Sequence, residues 1–228
     1  MSLVFIVSAP SGSGKSTLVN ELFKMVHGLD FSISYTTRQP RGSEQNGKEY
    51  FFVSQAEFEA MIAADEFLEY ANVFGNYYGT AWRFLRETEK RGHDLLLDID
   101  VQGAAQIKKK LPDAVSIFIL PPDREKLEWR LRNRGLDPEA VIRRRLATAR
   151  REIENYSKYD YILVNNVLEQ SADELKAVVL AERIKQNGGP RTPEENRFLD
   201  TAQAFRLEQA RERVRPILDS FVTGAVGN

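Results

Sequence analysis

Short, mostly apolar runs alternate along this chain with stretches whose apolar residues recur at helical spacing. Leu3 to Val7 is a β-branched and aromatic run bounded by Ala9-Pro10-Ser11-Gly12, the pattern of a buried strand entering a turn. From Lys15 onward, Leu18, Leu22, Phe23 and Val26 fall on one helical face, and Gly28 marks the end of that helix. Asp94 to Ile99, Ala114 to Leu120 and Tyr161 to Val164 are further strand-like runs, with a helical pattern from about residue 103 to 111 between the first two. Strands that alternate with helices predict an α/β fold with a parallel sheet flanked by helices.

Two segments interrupt the alternation. Residues 34–82 contain strand-like runs broken by Pro40, Gly42 and Asn46-Gly47, with a short helical patch from Glu57 to Ala64, and read as a small β-rich insertion. Residues 124–150 are helical and rich in arginine, with Gly135 and Pro138 at a hinge. That leaves 1–33, 83–123 and 151–186 for the core, closed by a helix from about Ala172 to Gln186. Gly188-Gly189-Pro190 is a linker. Beyond it, Phe198, Ala202, Phe205, Leu207 and Val214 predict an amphipathic helix that stops near Pro216, so 187–228 is a helical extension without an assigned role.

Composition narrows the picture. A length of 228 residues with 42% hydrophobic and 29% charged content is ordinary for a globular chain able to bury a sizeable core. The net charge of -1 argues against a general affinity for nucleic acid or anionic membrane. With no cysteine there is neither a disulfide nor a thiolate metal site. The apolar N-terminus is too short to span a bilayer and ends in a glycine-rich turn. His27 and His93 lack metal-ligand spacing and read as ordinary surface or packing residues.

The turn after the first strand carries the first chemistry. Ala9-Pro10-Ser11-Gly12-Ser13-Gly14-Lys15-Ser16-Thr17 matches a P-loop at Gly14, Lys15 and Ser16, with Ala9 where the first glycine normally stands. Small residues let successive backbone N–H groups curl around polyphosphate oxygens, and the helix N-terminus adds a positive field. Lys15 can reach the outer phosphates and the Ser16 hydroxyl can ligate Mg²⁺. The segment therefore points to a nucleoside triphosphate without naming the reaction.

Further motifs narrow the reaction. They are Ser34-Tyr35-Thr36-Thr37-Arg38-Gln39-Pro40-Arg41, Gly47-Lys48-Glu49-Tyr50, Phe67-Leu68-Glu69-Tyr70, Gly75-Asn76-Tyr77-Tyr78-Gly79-Thr80 and Leu97-Asp98-Ile99-Asp100-Val101-Gln102-Gly103. In this order they resemble the guanylate kinases, P-loop nucleoside monophosphate kinases, over residues 2–185. The chemistry of the side chains is compatible. Arg38 and Arg41 can grip a phosphate dianion through fork contacts, aided by the Tyr50 and Tyr78 hydroxyls. A Glu69 carboxylate accepts from the N1–H and N2–H donors of guanine, and would face a lone pair on adenine; Ser34 and Thr80 hydroxyls can donate to O6. Asp98 and Asp100 close a strand, where open α/β sheets gather ligands and a carboxylate can hold the water shell of Mg²⁺. Which of the two does so is left open, and a cap of the following helix is the plainer but less favoured alternative.

The resemblance implies transfer of the γ-phosphoryl group of ATP to GMP, with dGMP as a second acceptor, in purine nucleotide metabolism of the cytoplasm. It implies Mg²⁺ as cofactor, held by Ser16 and, through water, by Asp98. It makes 34–82 the GMP-binding domain and 124–150 a lid. GMP would meet Ser34, Arg38, Arg41, Tyr50, Glu69, Tyr78, Thr80 and Asp100, and ATP would meet residues 9–17 and Asn165. Lys15, Arg38, Arg130, Arg134 and Arg145 would be catalytic. The other arginines of 124–150 read as a solvated face. The nucleophile is an ionised phosphate oxygen, so no general base is needed. Neither nucleic acid nor membrane is expected as a partner; a homo-oligomer is left open. Among rivals, a non-catalytic module of the same shape would be expected to lose parts of the P-loop or lid. A kinase for another phosphorylated acceptor would not need the base-reading set.

Overall fold

The computed structural model describes residues 2–73, 75–133 and 138–223. Along the chain run β1 (Val4–Ser8), α1 (Lys15–Met25), β2 (Leu29–Phe31), β3 (Tyr35–Thr36), β4 (Phe51–Phe52), α2 (Gln55–Ala63), β5 (Phe67–Val73) and β6 (Asn76–Ala81). There follow α3 (Trp82–Arg91), β7 (Asp94–Asp98), α4 (Val101–Lys110), β8 (Val115–Leu120), α5 (Arg124–Asn133) and α6 (Glu139–Ile153). β9 (Tyr161–Val164), α7 (Leu168–Asn187), α8 (Pro193–Gln203) and α9 (Leu207–Thr223) complete the fold. A five-stranded sheet has the order β2-β7-β1-β8-β9, and a four-stranded one the order β4-β3-β6-β5. β1 and β8 are buried at every position, as expected of parallel strands covered on both faces.

Two elements escaped the sequence pattern. β2 is three residues long with Asp30 at its centre, and α3 is so highly charged that only Leu85 and Thr88 are buried. The final core helix, α7, begins at Leu168, four residues before the expected Ala172.

The chain divides into two compact units, residues 1–6 with 28–115 and residues 7–27 with 116–228. In the first, β2 pairs with β7 in parallel and the smaller sheet wraps an aromatic cluster. Phe58 stacks on Phe67 with centroids 4.4 Å apart and on Tyr77 at 5.2 Å. Gly79 makes room, since a Cβ there would lie 2.8 Å from the Phe67 ring. Side chains alternate across a strand, so Tyr77, Gly79 and Ala81 face the cluster while Tyr78 and Thr80 project to the opposite face of β6. A register shift in β5 places Phe67 opposite Ala81 and Glu69 opposite Thr80.

In the second unit, β8 and β9 pair in parallel, Ile117 to Leu120 against Tyr161 to Val164. The extension is two helices, not one. Residues 205–207 lie antiparallel to β9: the Ile162 N–H donates to the Phe205 carbonyl at 2.8 Å, and the Leu207 N–H to the Asp160 carbonyl at 3.1 Å. Arg206 stacks on the Tyr161 ring at 4.4 Å and pairs with Glu182 at 3.0 Å. Tyr161 and Lys185 also hydrogen-bond to Glu182. α9 runs through Pro216, although proline removes an intrahelical donor. Its stripe of Ala210, Val214, Ile217 and Phe221 is buried, and packing of that face outweighs the lost bond. The Arg124 N–H, at the start of α5, donates to the Ser220 hydroxyl at 3.0 Å. The amphipathic segment thus docks on its own chain.

Candidate active site

In the second unit, the segment between β1 and α1 takes the conformation that its small residues allow. Gly12 and Gly14 have φ of 95° and 84°, a region that disfavours any Cβ, and Gly14 is the N-cap of α1. The Ser13 N–H donates to the Pro10 carbonyl at 3.1 Å, and Leu18 N–H to the Gly14 carbonyl at 3.0 Å. Lys15 opens the helix, half-buried, while Ser16 and Thr17 in the same turn are exposed. This is the geometry of a backbone anion cradle at a helix N-terminus.

Asn165 and Arg130 brace that cradle. The Asn165 amide donates to the Ser13 carbonyl at 2.7 Å in a buried contact, and its own N–H is held by the Leu120 carbonyl at 2.8 Å. Arg130 donates to the Ser13 carbonyl at 3.3 Å and to the Asn165 carbonyl at 2.8 Å. Burial lowers the Arg130 pKa from its ordinary value, which leaves it charged. Leu127 and Leu131, on the same helix, close over Gly12: a Cβ there would lie 2.9 Å from Leu127 and 2.8 Å from Leu131. Arg145 lies half-buried on α6. Arg134 lies outside the described residues. Arg132 is exposed, as expected of a solvated face, and pairs there with Glu128 at 2.7 Å and with Glu139 at the start of α6.

In the first unit, Arg38 is buried at the end of the turn after β3. Its Nε donates to the Tyr78 hydroxyl at 3.2 Å and its Nη1 to the Gln39 carbonyl at 2.7 Å. Nη1 and Nη2 fork onto the Glu44 carboxylate at 2.9 and 3.0 Å. The guanidinium also lies over the Tyr50 ring at 5.2 Å. The Glu44 fork raises the Arg38 pKa further and holds the Glu44 carboxyl below its usual value. Arg41 is exposed, with its backbone N–H bound to Glu44 at 2.8 Å. Burial raises the Tyr50 phenol, and the negative charge of Asp98 adds to the shift.

Glu69 is 3% exposed and is held by the Thr80 hydroxyl at 2.7 Å. Burial, with a smaller contribution from the Asp100 charge, pushes its pKa up to about 7. The Thr80 proton is therefore directed at Glu69, which leaves Ser34, half-buried beside β3, as the hydroxyl without that engagement. Asp100 caps α4, accepting from the Gly103 N–H at 2.8 Å, so the plainer expectation for that acid is realised while its charge still reaches Glu69. Asp98 ends β7, half-buried.

Three contributors were not singled out from sequence. Gly103 carries no side chain because a Cβ there would collide with Glu69 Oε2; a glycine just inside a helix start was the available signal. Glu44 sits among arginines, and only its acidic character was legible. Gln106 clamps the Tyr70 backbone, donating to its carbonyl at 2.6 Å and accepting from its N–H at 3.2 Å. Among the described residues, no three or more His, Cys, Asp or Glu side chains form a metal cluster, and no helix is long and apolar enough to cross a membrane.

Comparison with known proteins bears on the whole arrangement. The family model described as guanylate kinase matches residues 1–182. A guanylate kinase of Koribacter versatilis (strain Ellin345) is 60% identical over 222 residues, 96% of this chain and 95% of that protein. One of Escherichia coli (strain K12) is 48% identical over 186 residues, 81% of this chain and 90% of that protein. The crystal structure of guanylate kinase from Anaplasma phagocytophilum superposes with a TM-score of 0.68 at 35% identity, covering 80% of this chain and 87% of that one.

Proposed function

The chain belongs to the guanylate kinase family and is a nucleoside monophosphate kinase, and we propose that it transfers the γ-phosphoryl group of ATP to GMP, and to dGMP, in cytoplasmic purine metabolism. The observation that carries the choice of acceptor is the buried Glu69–Thr80 pair, aligned by the β5 register shift and given room by Gly103. An ionised carboxylate there accepts from guanine N1–H and N2–H; facing adenine N1 it would be left unpaired. Ser34 donates to O6, and Asp100 supports the same edge.

Arg38, Arg41, Tyr50 and Tyr78 hold the acceptor phosphate. Residues 9–17 cradle the ATP polyphosphate, with Lys15 on its outer phosphates and Asn165 fixing the loop. Arg130, Arg134 and Arg145 neutralise charge on the transferring group, and residues 124–150 act as the lid that keeps water from it. Ser16 and, through water, Asp98 would hold Mg²⁺. A hydroxyl exposed in the first turn of α1 and a carboxylate at a strand end are hard oxygen donors of the type that Mg²⁺ takes beside phosphates. When bound, Mg²⁺ supplies charge neutralisation on the polyphosphate. Catalysis is positioning plus electrostatic stabilisation of a loose transition state, with no general base. We assign 34–82 to GMP, 124–150 to the lid and 1–33, 83–123 and 151–186 to the core.

The test is coupled ADP release with GMP, dGMP, AMP, CMP and UMP as acceptors. GMP and dGMP should be turned over with kcat/KM at least about 10³-fold above AMP, within the discrimination available to a site that hydrogen-bonds its substrate. Comparable rates with AMP would refute the role given to Glu69.

A further inference from the structure

Glu44 holds both arginines of the phosphate site and lies outside the set assigned above. Its Oε2 accepts from Arg38 Nη1 at 2.9 Å and from the Arg41 backbone N–H at 2.8 Å, and its Oε1 accepts from Arg38 Nη2 at 3.0 Å. A guanidinium has five N–H donors. Of those on Arg38, Nε is directed at Tyr78, Nη1 serves Gln39 and Glu44, and Nη2 gives one to Glu44. One Nη2–H is left, on the side of the guanidinium that carries Nε. The Tyr78 hydroxyl accepts from Nε, so its own proton is available on that same side.

Resting on the reading that Arg38 and Arg41 hold the acceptor phosphate, we propose that Glu44 is the positioning residue of this half-site. By taking the end-on fork of Arg38, it turns the remaining Nη2–H and the Tyr78 O–H outward as a pair. By binding the Arg41 N–H, it closes the 41–44 turn, whose Glu44 N–H in turn donates to the Arg41 carbonyl at 3.0 Å, and so sets the start of the Arg41 side chain. The rings of Tyr50 and Phe52, 5.2 and 5.7 Å from the Arg38 guanidinium carbon and 5.9 Å from each other, confine the same group from one side. A phosphate then meets donors already oriented, and the ordering cost of two long side chains falls on folding instead of on binding.

The opposite arrangement is a placeholder, in which Glu44 must leave before a phosphate can enter. The two differ in sign. Glu44→Gln keeps the shape but loses the charge and one acceptor, so a brace is loosened whereas a placeholder is weakened in favour of the ligand. With Glu44 partly exposed, the brace predicts GMP binding about 5- to 20-fold weaker in Glu44→Gln, the low end of the range for charge-assisted bonds. KM for ATP and the dissociation constant of guanosine, which has no phosphate, should stay within about twofold. In an Arg38→Met background the Gln substitution should add little, because residues that act through one another are not additive.

Calorimetric titration of the four proteins (parent, both single variants and the double variant) with GMP and guanosine, alongside steady-state kinetics, tests this. Tighter GMP binding by Glu44→Gln overturns the brace in favour of the placeholder. Equal losses for GMP and guanosine overturn it in favour of a general structural role. Unchanged GMP binding in Glu44→Gln, with a large loss in Arg38→Met, overturns the role of Glu44 and leaves the phosphate site standing. Unchanged GMP binding in Arg38→Met alone refutes the phosphate site itself.

Discussion

Replacing Glu69 by Gln should convert a pH-dependent guanine site into a pH-independent and weaker one. In the free protein, burial raises the Glu69 pKa from 4.5 to about 7. A guanine edge offers two donors to the ionised carboxylate, so base binding favours the charged form and draws the pKa back down. Below pH 7, binding must therefore release a proton, and affinity should fall by up to about tenfold per pH unit down to the pKa of the complex. Above pH 7 it should level off. Guanosine is the ligand of choice, because the phosphate of GMP titrates in the same window, near pH 6. Calorimetry in buffers of different ionisation enthalpy reads the proton count directly. At pH 8 the Gln variant should bind about 10- to 100-fold more weakly, the worth of a hydrogen bond to a charged group, and show no slope. The same shift bears on stability. A carboxyl with a raised folded pKa contributes stability that is fully present below 4.5 and is lost as pH rises through about 7. For a group this buried the difference is roughly 3 kcal/mol. Glu69→Gln should accordingly flatten this part of the pH–stability profile. Guanosine affinity that is level from pH 5.5 to 8 in the parent protein, or a slope that survives in the variant, would refute the reasoning.

Gly103→Ala should raise KM for GMP about tenfold or more with KM for ATP little changed, because its Cβ displaces the Glu69 carboxylate; steady-state kinetics with each substrate varied in turn reads the split. Asn165→Ala removes the buried donor to the Ser13 carbonyl and should raise KM for ATP and lower stability by about 1–3 kcal/mol, measured by kinetics and urea unfolding. Phe221→Ala should cost about 3–5 kcal/mol of stability if α9 is an integral part of its unit, and a thermal midpoint unchanged from the parent would show that it is not.

The parts of this protein written locally were legible before any coordinates. β1, β7 and β8 appear as short, mostly apolar runs because parallel strands covered on both faces need them, and the cradle from Ala9 to Ser16 shows itself because close backbone approach demands small residues. The motifs around Arg38, Glu69 and Asp98 named a family because their side-chain types and order survive in one dimension. Other features depend on partners far away in the chain. Arg130 and Asn165 brace a carbonyl 117 and 152 residues distant, and the extension finds β9 through Phe205 and Leu207. Glu69 owes its raised pKa to burial beside Asp100 and α4, and the same carboxylate on a surface would titrate normally. Periodicity and motif spacing record which face of an element is apolar and which residue types stand together. Desolvation, hydrogen-bond partner and charge environment arise only when the chain closes on itself, and those set the chemistry of each group.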